Sequence, residues 1–262
     1  MNVNIGDISL QVAQRGAGKP LVLVHGFPLD HTMWAAQMAA LSSRHLVLAP
    51  DLRGFGASGV TSGTVTMEQY ADDLAALLDA MQIREPVTFC SLSMGGYVAW
   101  QFVARHRPRL ARLILCDTRA AADTPDAAAG RLKTAERVLA EGAQVVADAM
   151  LPKLFAPQNL ARNADYVQAT REVILRTPPE GIAAALRGMA QRKDVTSQLA
   201  TIDVPTLVLC GEHDGISPPA EMRQIAAAIP GAEYVEIADA GHMAPLENPL
   251  AVNAKIASFM AN

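Results

Sequence analysis

Val87-Thr-Phe-Cys-Ser-Leu-Ser-Met-Gly-Gly96 is an apolar run that ends in a serine followed by two glycines. Such a segment hangs a nucleophilic serine on a sharp turn between a buried strand and a helix, with a strained backbone and the hydroxyl exposed at the sheet edge. Two serines compete for the turn. Residues two before and two after the turning serine pack closely across the bend, so both must be small. Ser93 is flanked by Ser91 and Gly95, whereas Ser91 would be flanked by Phe89 and Ser93. Phe89 does not fit, so Ser93 is the candidate, with serine at position 91 where glycine is usual.

Outward from this segment, short apolar runs alternate with helical patterns. Strands are predicted at Leu21–Val24, Leu46–Ala49, Val87–Cys90, Leu113–Cys116, Thr206–Cys210 and Tyr234–Ile237, and helices at 31–42, 66–82, 94–106, 218–229 and 249–260. Continuous apolar runs of this length suit strands buried on both faces, which means a parallel sheet covered by helices. Residues 8–15 alternate and precede Gly-Ala-Gly-Lys-Pro, as an antiparallel edge strand and turn would.

The alternation stops between Cys116 and Pro205. From Thr124 to Asp194 only helical stretches appear, punctuated by Pro152, Pro157, Pro178 and Pro179. Thr124-Pro125 opens one of them, with Leu132, Ala135, Val138 and Leu139 expected on its buried face and Gly142 after its end. A block of helices between two sheet strands reads as a lid over the carboxyl edge.

Half of the 262 residues are apolar and 18% are charged, with a net charge of −4. That supplies a sizeable core and offers no electrostatic footprint for nucleic acid or anionic membranes. The N-terminal MNVNIGDISL lacks a secretory pattern and no run is long enough to span a membrane, so a cytoplasmic protein is expected. Cys90, Cys116 and Cys210 end strand-like runs and read as buried thiols; no cysteine or histidine spacing suggests a metal. Arg105, Arg107, Arg109 and Arg112 form a basic run at a helix end, where cations complement the dipole.

Serine is a poor nucleophile near neutral pH and needs a histidine base oriented by a carboxylate. His242 lies in Asp239-Ala-Gly-His-Met-Ala-Pro245, a loop after the last strand, where Gly241 lets the imidazole return over the sheet edge. Asp214, shortly beyond the Thr206–Cys210 strand, is the favoured carboxylate. Asp117, directly after Leu113–Cys116, is the rival, otherwise expected to shape the entry to the lid; His213 is expected to be a loop residue. The order Ser93, Asp214, His242 is nucleophile, acid, histidine. His25-Gly-Phe-Pro28 follows the first parallel strand and can turn the Phe27 N–H toward the serine; the Met94 N–H is the second candidate oxyanion donor. His25 is expected to be buried beneath that loop.

These segments together resemble the α/β-hydrolase superfamily, in its capped esterase, enol-lactonase and dehalogenase-like branch. The matching pieces are His25–Pro28, Asp51–Ser58, Ser91–Gly96, Gly211–Pro218, and Gly241-His242 with Pro245–Pro249. The resemblance implies an eight-stranded, mostly parallel sheet flanked by helices, no cofactor, and a scaffold role for Asp51–Ser58. The expected core is 1–118 and 196–262, with an inserted helical cap over 119–195. Dehalogenases and epoxide hydrolases of this branch carry an aspartate at the position of Ser93, which disfavours their chemistry. Serine chemistry remains: hydrolysis of carboxylic esters of small to medium, largely apolar substrates. An enol-lactonase or carbon–carbon hydrolase would use the same residues, and a non-catalytic receptor is the reading from another class. Phe155, Ile174, Leu186 and Met189 of the cap, with Phe27, are the residues expected to pack around or line an apolar pocket.

Overall fold

The 87–96 segment sits at the centre of a sheet of eight strands. The structure, a computed structural model, describes residues 1–162 and 164–261. The strands are β1 (Asn2–Asn4), β2 (Ser9–Arg15), β3 (Pro20–Val24), β4 (Leu46–Pro50), β5 (Val87–Leu92), β6 (Leu110–Cys116), β7 (Thr206–Gly211) and β8 (Glu233–Ile237), in the order β1-β2-β4-β3-β5-β6-β7-β8. β3 to β8 run parallel, while β1 and β2 form the antiparallel edge. β3, β5 and β7 are buried along their whole length, as their unbroken apolar runs require.

Helices α1 (Ala35–Leu41), α2 (Met67–Ala80), α3 (Met94–His106), α9 (Pro219–Ala228), α10 (Ala244–Glu247) and α11 (Pro249–Ala261) accompany the sheet. Five more, α4 (Pro125–Glu141), α5 (Gln144–Leu154), α6 (Pro157–Ala161), α7 (Asp165–Arg176) and α8 (Pro179–Ala190), run between β6 and β7 with no strand among the described residues. α4 begins as expected, with the Thr124 hydroxyl accepting from the Ala127 N–H at 3.2 Å. Its face differs from the expected one: Ala135 and Val138 are buried, but Leu132 and Leu139 are exposed. Pro152 does not end a helix either; it lies inside α5, near enough to the C-terminus that little of the hydrogen-bond ladder follows it.

Chain order reverses around β3, whose neighbours are β4 on one side and β5 on the other. In open parallel sheets ligands bind outside the carboxyl ends of the strands at such a switch point. Leu92 pairs with Cys116 and Cys116 with Leu209, so β5 and β6 end level while β7 runs two residues further, to Gly211. Ser93 and Asp117 therefore emerge side by side, and the Gly211 N–H reaches the Asp117 carboxylate at 2.7 Å.

Candidate active site

Ser93 caps α3 with φ 54° and ψ −113°, a left-handed backbone that costs a non-glycine residue about 1–3 kcal/mol. Neighbouring backbone holds it there. The Ser93 N–H donates to the Cys116 carbonyl at 3.0 Å, and its own carbonyl accepts from the Thr118 hydroxyl at 2.7 Å. The steric reason for small flanks is visible. A Cβ on Gly95 would lie 2.6 Å from the Val24 carbonyl oxygen and 3.0 Å from that of His25. Ser91 is tolerated on the other flank because its buried hydroxyl turns to the Ile114 carbonyl at 3.3 Å. The 25–28 loop packs on the turn, with a Cβ at Gly26 falling 3.3 Å from Ser93 Cβ. Met94 begins α3, so its N–H is among the donors that a helix leaves unsatisfied.

Asp214 and His242 meet directly, Nδ1 to Oδ2 at 2.8 Å, with both side chains buried. Burial alone would push the Asp214 carboxyl up. The charge and hydrogen bond of His242, with hydrogen bonds from Ser217, overcome that and hold it below the usual carboxylate value. Ser217 is a residue that sequence reasoning missed. Its hydroxyl donates to Asp214 Oδ2 at 2.7 Å and lies 3.3 Å from His242 Nδ1, while the N–H groups of Ile216 and Ser217 donate to Oδ1 at 2.7 and 3.1 Å. The signal was local: in Asp-Gly-Ile-Ser the carboxylate folds back onto the next turn, as in an Asx motif. The structure joins Asp214 to His242, but no hydrogen bond joins His242 to Ser93 among the described residues. Catalytic contacts in unliganded enzymes are often long and tighten on binding substrate.

Asp117 directly follows β6, where the chain leaves the sheet for the helices between β6 and β7. It is fully buried at φ 48°, with Oδ1 accepting from the Gly211 N–H at 2.7 Å and Oδ2 without a partner among the described residues. Burial, then the adjacent Asp214 charge, push its carboxyl well above the ordinary range. His25 is buried beneath its loop. It accepts from the Leu52 N–H at Nε2 (2.9 Å) and its Nδ1 faces the Gly26 carbonyl (2.9 Å), so one ring proton satisfies both contacts; burial pushes its pKa down. Asp51 ties the neighbouring loop together, accepting from the His31 and Ala57 N–H groups at 2.8 and 2.9 Å. His213 is exposed, and the three cysteines are buried and unpaired. Arg105, Arg107 and Arg109 are ion-paired to Asp72, Asp203 and Asp79.

Two groups bring three potential metal ligands within 4.8 Å of one another: Asp30, His31 and Asp51, and Asp117, Cys210 and Asp214. In the first, His31 Nδ1 is bonded to Asp51, and Asp30 to Thr32 and Arg176. In the second, Asp214 is engaged by His242 and Ser217, and burial pushes the Cys210 thiol up, away from the thiolate a metal needs. Neither donor set is free.

A groove of about 430 Å³ opens between α4, α5 and α8. Phe27 and Ile216 line it from the core, and Val146, Met150 and Leu186 are among its cap residues. Leu186 therefore lines it as expected, whereas Phe155, Ile174 and Met189 are buried within the cap's own packing. The cap also grips the histidine loop through Glu247. Its carboxylate accepts from the Gly241 N–H at 2.7 Å, the Ala156 N–H at 2.8 Å and the Asn159 amide at 2.6 Å. The Met243 N–H adds a bond to the Leu154 carbonyl at 3.0 Å. The backbones touch here, because a Cβ on Gly241 would lie 2.6 Å from the Ala156 nitrogen.

Residues 19–249 match the family described as alpha/beta hydrolase fold, and the chain belongs to that family. It is thus a hydrolase by fold and kinship. Among solved structures it is similar to a thermophilic esterase from Thermogutta terrifontis, with TM-score 0.97 and 44% identity over 100% of this chain and 97% of the other. It is also similar to an enol-lactonase from Burkholderia xenovorans, with TM-score 0.93 and 33% identity over the whole of both chains. A 3-oxoadipate enol-lactonase of Acinetobacter baylyi is 30% identical over 92% of this chain and 88% of its own length. Among the described residues no helix is long and apolar enough to cross a membrane.

Proposed function

We propose that this protein hydrolyses carboxylic esters of small to medium, largely apolar molecules through an acyl-enzyme on Ser93. The observation that carries the reading is the buried 2.8 Å bond between Asp214 and His242, on the same sheet edge as a serine held at φ 54°. Asp214 fixes the imidazole with Nδ1 protonated, leaving Nε2 to take the Ser93 proton as the hydroxyl attacks the ester carbonyl. The Phe27 and Met94 N–H groups receive the oxyanion, each such donor contributing about 3 kcal/mol where side-chain donors have been removed. The imidazolium then protonates the leaving alcohol. Water, deprotonated by the same imidazole, releases the acid. Residues 119–195 act as the cap and 1–118 with 196–262 as the catalytic core.

Lactone hydrolysis is the second reading, favoured by the enol-lactonase relatives at 33% and 30% identity. It needs the same groups, with the leaving alcohol tethered to the acyl chain. Replacing Ser93 with alanine is expected to lower p-nitrophenyl butyrate turnover on the order of 10⁶-fold while leaving the fold intact. A variant that keeps its turnover refutes the assignment. A burst of p-nitrophenol without steady turnover in the unaltered protein supports a receptor instead.

A further inference from the structure

The loop that carries the Phe27 N–H is held from two sides, by the core and by the cap. On the core side the His25 ring lies beneath its start, accepting from the Leu52 N–H at 2.9 Å. The Leu29 N–H closes a turn on the Gly26 carbonyl at 2.9 Å. At the loop's end Asp30 caps the short 3₁₀ helix His31–Trp34, accepting from the Thr32 N–H at 2.9 Å. His31 is tied to Asp51 by its N–H at 2.8 Å and its ring Nδ1 at 2.6 Å. On the cap side the contacts come from the end of α7. Arg176 Nη2 donates to Asp30 Oδ2 at 2.5 Å, and the Thr177 hydroxyl lies 3.4 Å from the Pro28 carbonyl and 2.8 Å from that of Val173. Asp30 is 3% exposed, and burial alone would push its carboxyl up. The Arg176 guanidinium, then the Thr32 hydroxyl and N–H, overcome that and hold it below the ordinary value. Packing does not replace this bridge, because a cavity of about 60 Å³ lies between Leu29, Asp30 and the Thr170–Val173 face of α7. The loop has room to shift once the bridge is gone.

Phe27 lies three residues before Asp30 in the same loop. A buried carboxylate stripped of its cation is an uncompensated charge, and its relief is to turn toward water, carrying the loop with it. Neither Asp30 nor Arg176 lines the groove over Phe27, so the bridge makes no contact with a substrate lying there. We propose that Arg176 is a positioning residue for catalysis: by holding Asp30 it keeps the Phe27 N–H aimed at the oxyanion, so that the cap contributes to the chemical step as well as to substrate contact. The proposal rests on the ester-hydrolase reading, with Phe27 as an oxyanion donor. Its signature follows from differential binding. A group that serves only the oxyanion acts in the transition state, so its loss lowers kcat and leaves KM nearly unchanged. Arg176 is half exposed, so lysine at that position can still present a charge, without the guanidinium's planar fork.

The test measures p-nitrophenyl butyrate turnover per burst-titrated site in the unaltered protein, Arg176→Gln and Arg176→Lys. Inhibition by two ketones accompanies it. Trifluoromethyl pentyl ketone adds the Ser93 hydroxyl to give a tetrahedral oxyanion, whereas methyl pentyl ketone stays a ground-state competitor. In Arg176→Gln kcat should fall about 10- to 100-fold, with KM within about threefold of the unaltered value. The inhibition constant of the trifluoromethyl ketone should rise by the same factor as kcat falls, while that of the methyl ketone stays put. Arg176→Lys should recover part of both losses. A role confined to stability would lower the urea midpoint and the titrated fraction, and would not separate the two ketones. Should Arg176→Gln fail to fold, Asp30→Asn carries the same test, because it keeps an oxygen for the Thr32 N–H and loses the charge that Arg176 holds. An unchanged kcat per site, or equal weakening of both ketones, overturns the role of Arg176 and leaves the hydrolase reading standing. An unaltered protein that neither turns over the ester nor prefers the trifluoromethyl ketone overturns both.

Discussion

Gly95→Ala isolates the contribution of the turn at Ser93, since it adds one methyl group and no polar atom. That methyl would begin 2.6 Å from the Val24 carbonyl oxygen, and widening this to an ordinary 3.4 Å contact requires a movement of about 0.8 Å. The obstacles are backbone carbonyls at the end of β3, and strands packed on both sides hold them. Relief must come from α3, which carries Ser93 and the Met94 N–H away from the 25–28 loop. Overpacking of this kind costs about 1–3 kcal/mol, which a domain stable by roughly 5–15 kcal/mol survives. A misplacement of about 1 Å at a reacting group costs on the order of 10² in rate, so turnover should fall about 10- to 100-fold in a protein that still folds. Gly130→Ala is the control for stability, because a Cβ there has nothing within 4 Å and lies within α4, although it lines the groove. It should gain about 0.5–1 kcal/mol of stability, and its turnover should change far less than that of Gly95→Ala. Urea titrations supply the stabilities, and p-nitrophenyl butyrate rates per burst-titrated site supply turnover. If Gly95→Ala turns over like the unaltered protein, or both alanines lose turnover equally, the close-packed turn does not position the nucleophile.

Asp214→Asn should lower turnover on the order of 10⁴-fold and Asp117→Asn by less than about tenfold, measured on the same ester; the reverse order would make Asp117 the partner of His242. Asp117 should also shape the pH dependence of stability. Burial holds its proton in the folded state past the pH near 3.8 at which an unperturbed carboxyl releases it, so the folded chain binds more protons and stability falls as pH rises above that value. Urea midpoints for Asp117→Asn between pH 4 and 7 should lack that part of the fall, and identical slopes in both proteins would contradict it. Glu247→Ala leaves the Gly241, Ala156 and Asn159 donors without their shared acceptor, at about 1–3 kcal/mol for the unpaired groups. It should lower Tm and slow turnover together, whereas a stable variant with intact kinetics would show that the latch is dispensable.

Features set by near neighbours in the chain were legible in the sequence. The small flanks of Ser93, the unbroken apolar strands and the helix start at Thr124-Pro125 are local rules, and the backbone obeys them. The meeting of Asp214 with His242 was readable as well, because each lies just beyond a strand and both strands end at one edge. What escaped depended on distant partners. β1 is three residues, Asn-Val-Asn, too short and polar to show a period. Leu132 and Leu139 have the spacing of a buried face, yet nothing from the core reaches that side of α4. Glu247 stands in a quoted motif, but its role depends on donors about ninety residues earlier. Its carboxyl carries both pressures: burial raises it, and those donors pull it back.

The Glu247 contacts limit how this chain can diverge. The helices between β6 and β7 form a cassette that docks on the core at several places, with Gly181 against Gly54, the Ala184 carbonyl on the Val65 N–H, and Arg176 on Asp30. Residues 154–159 are the dock on the reaction centre, because the Leu154 carbonyl, the Ala156 N–H and the Asn159 amide are read by the histidine loop. A cassette borrowed from a relative must reproduce those three groups in register, whatever else it changes. Chimeras should therefore sort by that short stretch: splice points that keep it with the histidine loop yield working recombinants, and those that separate the two yield folded but idle ones.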